Sequence, residues 1–350
     1  MQQRQCGKHD LKLSALGAGC WAFGGGKYWG DQNQKDVDEV VRYSVDLGIT
    51  YFDSAEAYNE GRSEESLGLA LKGIPRDTVL VGTKVSPSNC YPDMLVEHCE
   101  ASLRRLGTDY IDIYMIHWPI HPHSIRHFTE DEAVISNPPL VDDALDTLLT
   151  LRSSGKIRRI GVSNFAATRL KGIESFLGEV VLNELPYSLL TRAIELETLP
   201  CTVGYGMGTI GYMTLLQGLL ADIYPTLSDV PPYQRRTRHF NCTSTELCRH
   251  GEEGAEEETN EALAGIRRVM KESGMTMPEI AVKWALANSA ITCALVGART
   301  KQELEANVKA AGQPLPADIA EKLNEVTRPL MEKLGKGFDY YESTENDRTV

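Results

Sequence analysis

The chain has 350 residues, and its 36 Lys and Arg against 49 Asp and Glu give a formal net charge of −13 at pH 7. This excess of negative charge argues against a surface that binds nucleic-acid phosphates, because such surfaces need clustered positive charge. With 42% hydrophobic and 24% charged residues, the composition is typical of a chain that folds around a large core.

No apolar run reaches the roughly 18–20 residues that a membrane-spanning helix needs, and the first ten residues form no apolar signal segment. The eight cysteines are scattered and form no CxxC pair, which is typical of reduced thiols. We therefore expect a cytoplasmic enzyme that binds neither nucleic acid nor membrane. Formation of a homo-oligomer stays open.

Short apolar or β-branched runs alternate with stretches of helical periodicity along the chain. The predicted strands are Leu16–Phe23, Thr50–Ser54, Val79–Val85, Ile111–His117, Arg158–Asn164, Val180–Tyr187, Gly208–Met213 and Cys293–Arg299. The predicted helices include Asp36–Leu47, Glu64–Lys72, Pro92–Leu106, Asp142–Ser153 and Thr168–Leu177. This alternation favours a parallel sheet with right-handed crossovers, and eight units favour its closure into a (β/α)8 TIM barrel over an open doubly wound sheet.

Residues 1–334 are predicted to form a single barrel domain, and residues 335–350 a C-terminal tail. Two long loops, Trp118–Pro139 and Leu220–Thr259, follow the fourth and seventh strands, so we expect them at the rim where barrels bind substrates. The acidic run Glu252–Glu258 is interpreted as a solvated helix start. The aromatic segment Phe338–Tyr341 either folds over the rim or belongs to a solvated tail, and the tail is favoured.

Glycines follow the first predicted strand in the pattern Gly17-Ala18-Gly19-Cys20-Trp21-Ala22, which loosely matches a dinucleotide-binding fingerprint. A true fingerprint opens a helix whose N-terminal amides hold the pyrophosphate. Here more glycines follow, at 24–26, and the next predicted helix begins only at about Asp36. We therefore expect a loop that approaches a ligand closely rather than a Rossmann fold.

Polar side chains end three successive predicted strands. Asp53 ends the second strand, Lys84 the third and His117 the fourth, and Tyr58 lies in the loop directly after Asp53. If these strands are neighbours in a barrel, the four side chains converge at its rim. Each alone has a structural alternative, such as an ion pair or a packed histidine. The four together favour a catalytic site.

This combination of side chains suits the reduction of a carbonyl group. Tyrosine is a weak acid with an ordinary pKa near ~10, and a neighbouring ammonium lowers the pKa of the phenol. We expect Lys84 to lower the pKa of Tyr58 in this way, and Asp53 to keep Lys84 charged and oriented. A neutral His117 is expected to donate a hydrogen bond to the substrate carbonyl.

Several segments, in the right order, resemble the aldo-keto reductase superfamily. They are Phe52-Asp53-Ser54-Ala55, Gly61–Gly68, Thr83-Lys84, Ile116-His117-Trp118-Pro119, Gly161–Phe165 and Val296–Arg299 with Asn307. The resemblance covers residues 10–312 and implies a (β/α)8 TIM barrel with an N-terminal β-hairpin and extra C-terminal helices. It also implies NAD(P)H-dependent reduction of an aldehyde or ketone, with Tyr58 as general acid and Asp53, Lys84 and His117 as its partners.

The resemblance further implies a set of cofactor-binding residues. They are Ser163, Asn164, Glu184, Tyr187, Tyr212, Leu215, Gly218, Gly297, Arg299, Glu303 and Asn307. Ser163 and Asn164 match the pair that binds the nicotinamide carboxamide, and the segment from Tyr212 to Gly218 matches the one that covers the pyrophosphate. Tyr187 matches an aromatic residue that stacks on the nicotinamide ring, and a packed core aromatic is the alternative for this position.

Glu184 departs from the family pattern, which has glutamine here on the carboxamide. A carboxylate donates no hydrogen bond unless it is protonated, and its charge favours the oxidised nicotinamide. We therefore expect a bias toward hydride donation or an altered carboxamide pose. Arg299 matches a contact of the adenosine 2′-phosphate and suits that dianion, although the charge of Glu303 opposes it. NADP(H) is accordingly favoured over NAD(H).

Aromatic residues in the rim loops are the predicted substrate-binding surface. Trp21, Tyr28 and Trp29 lie in the first loop and Trp118 follows His117, and together they offer apolar faces to a sugar-type or aromatic carbonyl. The histidines and cysteines match no metal-ligand spacing, so no metal site is predicted. The alternative function is a cofactor-binding regulatory subunit with little turnover on the same barrel.

Overall fold

The computed structural model describes residues 1–350. Its strands are β1 (Gln3–Gln5), β2 (Lys12–Ser14), β3 (Leu16–Gly19), β4 (Tyr51–Asp53), β5 (Leu80–Val85), β6 (Ile111–Ile116), β7 (Ile157–Ser163), β8 (Val180–Pro186), β9 (Gly208–Tyr212) and β10 (Cys293–Val296). Its helices are α1 (Gln34–Asp46), α2 (Arg62–Ala70), α3 (Pro92–Leu106), α4 (Pro122–Ile125), α5 (Glu132–Ser136), α6 (Val141–Ser153), α7 (Ala167–Gly172), α8 (Thr198–Gly204), α9 (Glu256–Ser273), α10 (Met277–Ala287), α11 (Lys301–Ala311) and α12 (Ala317–Leu334).

Eight parallel strands close into a barrel in the order β10-β3-β4-β5-β6-β7-β8-β9. These are the eight predicted strands, so the prediction of a (β/α)8 barrel is confirmed. The hairpin β1–β2 pairs antiparallel outside the barrel, as the resemblance implied. Helices α11 and α12 follow the last barrel strand. None of the helices is both long and apolar enough to cross a membrane.

The chain after β3 distinguishes this barrel from a Rossmann fold. Residues 20–33 form turns rather than a helix, and α1 begins at Gln34, where the side chain of Asn33 caps the helix by accepting a hydrogen bond from the backbone of Lys35 at 2.9 Å. The glycine pattern at the end of β3 therefore lacks the helix that a dinucleotide fingerprint requires.

The strand register brings the predicted catalytic residues to one edge of the barrel. Asp53 on β4 lies opposite Gly82 on β5. Lys84, two residues after Gly82 on β5, lies opposite Met115 on β6. A side chain at Gly82 would collide with the hydroxyl of Tyr51, 2.2 Å from the added carbon, so this glycine leaves room for the tyrosine ring. Tyr51 in turn donates a hydrogen bond to Asp53 at 3.2 Å and thereby fixes the carboxylate.

The hydrophobic core has two parts. A cluster of 75 buried residues fills the layer that includes the helices, and a smaller cluster of 10 packs mostly among the barrel strands. The smaller cluster consists of Cys6, Leu13, Tyr51, Ile113, Met115, Val181, Leu182, Ile210, Cys293 and Leu295. Side chains therefore fill the barrel, and ligands can bind only at its ends.

The C-terminal residues are not a solvated tail, so that expectation is wrong. Phe338 and Tyr340 are only 3% and 2% exposed. The carbonyl of Tyr340 accepts a hydrogen bond from the backbone of Arg238 at 2.7 Å, so the second long loop holds this segment. Contacts between residues about a hundred positions apart give the segment partners that its local sequence does not indicate. The acidic run, by contrast, does begin a helix, because residues 256–258 form the first turn of α9.

Candidate active site

Lys84 lies at the centre of a group of polar side chains at the carboxyl end of the barrel strands. Its ammonium is 2.5 Å from Oδ2 of Asp53, and it donates to the carbonyl of Ser54 at 2.9 Å and to the hydroxyl of Tyr58 at 3.4 Å. The Lys84 side chain is 0% exposed and that of Asp53 is 3% exposed. The structure therefore brings together Asp53, Tyr58 and Lys84 as the sequence predicted.

Carboxylates keep Lys84 charged in this buried position. Burial alone lowers the pKa of an amine, but the charges of Asp53 and Glu184 outweigh that effect and raise the pKa of Lys84 above its ordinary value of 10.5. An ammonium that is charged at neutral pH can donate a hydrogen bond to the Tyr58 hydroxyl.

The pKa of Tyr58 moves in the direction opposite to the expected one. Burial raises the pKa of Tyr58 above its ordinary value of 10.0, and the charges of Asp53 and Glu184 add to that increase, so together they exceed the lowering by Lys84. The physical reason is that a phenolate here would lose its hydration and would face two carboxylates as well as one ammonium. Tyr58 is therefore protonated at neutral pH, which is the state that a proton donor needs.

His117 lies beside Tyr58, with 5.6 Å between the two ring centroids. Burial, followed by the charges of Lys84 and Arg348, lowers the pKa of His117 well below its ordinary value of 6.5. Its ring is therefore neutral at physiological pH, and its buried Nδ1 has no hydrogen-bond partner in the protein. A neutral imidazole at this place can donate one hydrogen bond to a carbonyl oxygen.

Glu184 lies beside Lys84. Its Oε1 is 3.4 Å from the Lys84 ammonium, and its buried Oε2 has no hydrogen-bond partner. Burial and then the charge of Asp53 raise the pKa of Glu184 well above its ordinary value of 4.5. Two carboxyl groups, from Asp53 and Glu184, therefore flank one ammonium.

The end of β7 connects the histidine to the next two strands. The side chain of Asn164 donates to the carbonyl of His117 at 3.0 Å, and its Oδ1 accepts from the hydroxyl of Tyr212 at 2.7 Å. Ser163 donates from its hydroxyl to the backbone carbonyl of Glu184 at 3.1 Å. Asn164 adopts a left-handed backbone with φ of 65°, a conformation that is uncommon for residues other than glycine and is often found at functional sites.

Tyr187 does not face this group of side chains. Its ring stacks on Trp284 with 4.9 Å between centroids, and its hydroxyl donates to Glu195 at 2.8 Å and accepts from Asn288 at 2.9 Å. The packing of Tyr187 against helix α10 corrects its assignment to the nicotinamide and corresponds to the alternative of a packed core aromatic. The aromatic residue beside the site is Tyr212, the last residue of β9.

The segment after β9 has an unusual backbone. Met213, Leu216 and Gln217 have φ values of 62°, 38° and 53°, and Gly218 has a φ of 101°. A side chain at Gly218 would lie 2.9 Å from the ring of Tyr224, so both its conformation and its surroundings require glycine. Strained backbone of this kind persists where the surrounding structure determines it, and it is concentrated at ligand clamps.

The segment after β10 leads into helix α11. The carbonyl of exposed Gly297 accepts from the side chain of Asn307 at 3.2 Å. Glu303 accepts from the backbone N–H of Arg299 at 2.8 Å. The guanidinium of Arg299 donates to the carbonyl of Trp29 and to the side chain of Gln32, each at 2.8 Å, and also to the carbonyl of Asp31. Arg299 therefore holds the loop of residues 20–33 in place, a contact that the sequence did not indicate.

The predicted substrate-binding aromatics form one cluster at the mouth of the barrel. Trp21 stacks on Tyr28 with 4.5 Å between centroids and lies 5.8 Å from Tyr58, and Trp29 packs against both Trp21 and Tyr28. Trp118 lies apart from this cluster, under the guanidinium of Arg348 at 3.8 Å. Three of the four predicted aromatics thus form one cluster, and Trp21 brings this cluster next to Tyr58.

Sequence reasoning missed the residues that the C-terminal segment and the strained segment contribute. The hydroxyl of Tyr28 donates to Gln217 at 2.5 Å, and the amide of Gln217 also contacts the hydroxyl of Tyr341. Arg348 forms a buried two-point ion pair with Asp339, at 2.6 and 2.7 Å. Tyr341 and Arg348 are distant from the other residues in sequence, so no local pattern indicates these contacts.

The arrangement fits a nicotinamide dinucleotide better than a metal ion. No group of three or more His, Cys, Asp or Glu side chains is placed to hold a metal. The side chain of Glu184 lies beside Lys84, and Ser163, which Asn164 contacts, donates to the backbone of Glu184. The open backbone at Gly297 precedes helix α11, whose amides point out at its N-terminus at Lys301. The unpartnered Oε2 of Glu184 is a free hydrogen-bonding atom at the same place.

Comparison with known proteins agrees with this geometry. Residues 15–328 match the model of the aldo/keto reductase family. The NADH-specific methylglyoxal reductase of Escherichia coli (strain K12) is 30% identical over 349 residues, which are 94% of this chain and 99% of that protein. The L-glyceraldehyde 3-phosphate reductase of Escherichia coli O157:H7 is 28% identical over 333 residues, which are 89% of this chain and 87% of that protein.

The fold is also that of a solved aldo-keto reductase. A crystal structure of the Klebsiella pneumoniae enzyme in complex with NADPH superposes with a TM-score of 0.68 and 21% identity, over 99% of this chain and 99% of that one. The family match spans the barrel strands β3 to β10 and every polar residue described above except Arg348, Tyr341 and Asp339. The chain therefore belongs to the aldo/keto reductase family and is an NAD(P)-dependent oxidoreductase.

Proposed function

We propose that the protein reduces a small aldehyde or ketone to the alcohol, with Tyr58 as the general acid. The observation that carries this proposal is the position of Lys84, whose ammonium lies 2.5 Å from Asp53 and 3.4 Å from the Tyr58 hydroxyl. A protonated phenol beside an ammonium is a proton donor that is stabilised after it has given up its proton. A solely regulatory role gives no reason for this arrangement.

Each residue of the group has one task in this proposal. Bound NAD(P)H supplies the hydride. Tyr58 gives its proton to the carbonyl oxygen, and Lys84 stabilises the phenolate that remains. Neutral His117 donates a hydrogen bond to the same oxygen and so orients the substrate. Asp53 keeps Lys84 charged and in place.

The cofactor is held by residues that surround this group. Ser163 and Asn164 bind the nicotinamide carboxamide, and Tyr212 packs on the nicotinamide ring in place of Tyr187. The segment from Leu215 to Gly218 covers the pyrophosphate. Tyr212 is supported in this role by its hydrogen bond to Asn164 at 2.7 Å, because that bond fixes the ring beside the site.

NADP(H) is the favoured cofactor in this proposal. Arg299 is partly exposed at the start of helix α11, where a guanidinium and the helix amides suit a phosphate dianion. Because Arg299 also contacts residues 29–32, its binding of that phosphate depends on an ordered first loop. Two features favour NAD(H) instead: Glu303 lies next to Arg299, and one relative is an NADH-specific reductase.

The substrate is a small carbonyl compound, of the sugar-type or α-oxoaldehyde class. Trp21 lies 5.8 Å from Tyr58 between ring centroids and packs with Tyr28 and Trp29. The three rings offer apolar faces on which sugar carbons can pack. Relatives that reduce methylglyoxal and L-glyceraldehyde 3-phosphate support a short, oxygen-rich substrate. The guanidinium of Arg236 lies 4.8 Å from the centroid of the Tyr28 ring, so a phosphorylated substrate would also find a cation at this surface.

The test is the consumption of NADPH and of NADH with methylglyoxal, glyceraldehyde, glyceraldehyde 3-phosphate and an aromatic aldehyde. The proposal expects turnover with at least one of these aldehydes and a preference for NADPH in kcat/KM. Tyr58→Phe is the control and should bind the cofactor without turnover. Cofactor binding by the wild-type protein without turnover of any aldehyde, ketone or alcohol would favour the regulatory role instead.

A further inference from the structure

Glu184 is a buried carboxyl group that has no role in the reaction proposed above. The Lys84 ammonium lies 3.4 Å from Oε1 of Glu184 and 3.4 Å from the hydroxyl of Tyr58. Lys84 therefore stands between the carboxyl group and the phenol. The side chains of Lys84 and Glu184 are 0% and 3% exposed, so bulk water does not surround either of them.

The charges around Glu184 do not balance if every acid is ionised. Asp53 already forms the short ion pair with Lys84 at 2.5 Å, so a second carboxylate leaves one uncompensated negative charge in the barrel. An isolated buried charge is costly, and such groups take up a proton instead. The Oε2 of Glu184 is buried and has no hydrogen-bond partner in the protein, so a proton on this atom is free to be donated to a ligand.

No other cation compensates Glu184 from the strands around it. The titratable groups that influence Glu184, or are influenced by it, come from five other parts of the site. They are Tyr51 and Asp53 on β4, Tyr58 after β4, Lys84 on β5, Tyr212 on β9 and Cys293 on β10. Lys84 is the one cation among them. His117, the nearest further base, is neutral.

We propose that Glu184 holds a proton when the reduced cofactor is bound and supplies it, through Lys84, to Tyr58 during carbonyl reduction. This inference rests on the proposed function, because it needs a nicotinamide ring beside Glu184 and a proton donor at Tyr58. It also gives the glutamate at this position a role that a glutamine cannot have, since an amide has no proton to give.

The proton transfers balance without any further reactant. A hydride forms the new C–H bond, and the electron pair of the carbonyl π bond takes the proton of Tyr58. The Tyr58 phenolate takes a proton from the Lys84 ammonium, and the resulting amine takes one from the Glu184 carboxyl group. The net result is an alcohol, a restored phenol and ammonium, and a Glu184 carboxylate beside an oxidised nicotinamide. That ring is positively charged, so the new carboxylate is compensated.

The same logic predicts a proton change on cofactor binding, with no substrate present. A cationic oxidised nicotinamide favours ionised Glu184, whereas the neutral reduced ring favours the protonated form. Binding of NADP⁺ should therefore release about one proton per site into a weakly buffered solution, and binding of NADPH should release close to none. A pH-indicator dye in a stopped-flow or titration experiment measures both, and the cofactor affinity is obtained in parallel.

Three variants identify the source of the proton. Glu184→Gln resembles the protonated side chain in shape and charge, and it should still bind NADPH but release no proton with NADP⁺. Tyr58→Phe should release as much as the wild-type protein, because the phenol is not the source. Glu325→Gln, on the exposed surface of α12, is the matched control and should behave as wild type.

Two outcomes would overturn the inference. One is equal proton release by the wild-type protein and Glu184→Gln, and the other is no release by a wild-type protein that binds NADP⁺. If Glu184→Gln fails to fold, Tyr58→Phe decides the question. Loss of proton release in Tyr58→Phe would identify the phenol as the source of the proton and would contradict the inference. Failure of the proposed function is a different result, namely no cofactor binding or no carbonyl reduction by the wild-type protein.

Discussion

The ammonium of Lys84 and the carboxylate of Asp53 form an ion pair with an N–O distance of 2.5 Å inside the mouth of the barrel. Their strands are neighbours, and Asp53 ends β4 while Lys84 is the penultimate residue of β5. Neither side chain is more than 3% exposed. The pair therefore has a structural and a chemical consequence, which separate variants can distinguish.

Lys84→Met should lower both stability and activity, because it leaves Asp53 facing Glu184 without a cation. Breaking a buried pair in this way costs about 3–5 kcal/mol of unfolding free energy. The double variant Lys84→Met with Asp53→Asn should recover most of that loss while it stays inactive. Denaturant unfolding and NADPH consumption measure the two effects. If the double variant is less stable than Lys84→Met, the pair does not act as described.

Arg348 should hold the C-terminal segment against the barrel. It pairs with Asp339 at 2.6 Å, with exposures of 5% and 0%, and its guanidinium covers Trp118. Arg348→Met should cost about 3–5 kcal/mol, and adding Asp339→Asn should restore much of it. Thermal unfolding and limited proteolysis at the C-terminus check this expectation.

An exposed ion pair provides the control for that experiment. Lys336 and Glu197 are 3.3 Å apart, but their side chains are 72% and 59% exposed. Exposed pairs contribute at most about 1 kcal/mol, so Lys336→Gln should leave the unfolding free energy nearly unchanged. Equal losses in Lys336→Gln and Arg348→Met would show that burial does not distinguish the two pairs.

The bridge between Tyr28 and Gln217 should slow cofactor release. It joins the first loop to the strained segment after β9 with a 2.5 Å hydrogen bond. Tyr28→Phe removes one hydrogen bond, worth about 0.5–1.5 kcal/mol, so NADPH should bind about 3–10-fold more weakly, mainly through a faster off-rate. Tyr205→Phe, which removes no side-chain hydrogen bond, is the control. Unchanged dissociation kinetics in Tyr28→Phe would contradict this role.

The pair of His98 and Glu56 should make the free energy of unfolding depend on pH. Their side chains meet at 2.6 Å. The hydrogen bond to Glu56 raises the pKa of His98 above its ordinary value of 6.5. Burial acts to raise the pKa of Glu56, but His98, together with hydrogen bonds from Ser86 and Asn89, outweighs it, and the pKa falls below the ordinary value of 4.5. The pair therefore contributes fully between those two ordinary values, is lost as the pH rises through the raised pKa of His98, and is lost as the pH falls through the lowered pKa of Glu56.

His98→Gln tests that pH dependence. The side chain of His98 is 35% exposed, so solvent screening limits the contribution to less than about 1 kcal/mol. The stability difference between wild type and His98→Gln should be largest near pH 5 to 6 and should shrink toward pH 8 and above. A difference that is constant across this range would mean that the pair is not charged as described.

The barrel and the convergence of Asp53, Tyr58 and Lys84 were predictable from the sequence for a common reason. Parallel strands bring their carboxyl ends to one edge, so polar residues at the ends of successive apolar runs identify the site without coordinates. Asp53, Lys84 and His117 follow this rule, and Tyr212, the last residue of β9, follows it as well. Tyr187 ended its predicted strand just as Tyr212 nearly did, so the pattern did not separate the two residues. In the structure β8 ends at Pro186, and Tyr187 packs against α10 instead.

The remaining features depend on contacts that no local pattern carries. The burial of residues 338–340 depends on Arg238, about a hundred positions away. Glu184 was predicted from its family position, but its 3.4 Å distance to Lys84 follows from the closure of the barrel. The pKa of Tyr58 is raised because burial and the carboxyl groups of Asp53 and Glu184 together outweigh the ammonium of Lys84. Such a balance requires coordinates.

The most direct test of the account is a comparison of Tyr58→Phe with wild type in both cofactor binding and turnover. In the proposed reaction the phenol hydroxyl is the proton donor, so its removal should reduce kcat/KM for aldehyde reduction about 10²–10⁴-fold, with an unchanged affinity for NADPH measured by fluorescence titration. Residual turnover near the wild-type rate, with NADPH bound normally, would show that another group supplies the proton and would contradict the role of Tyr58.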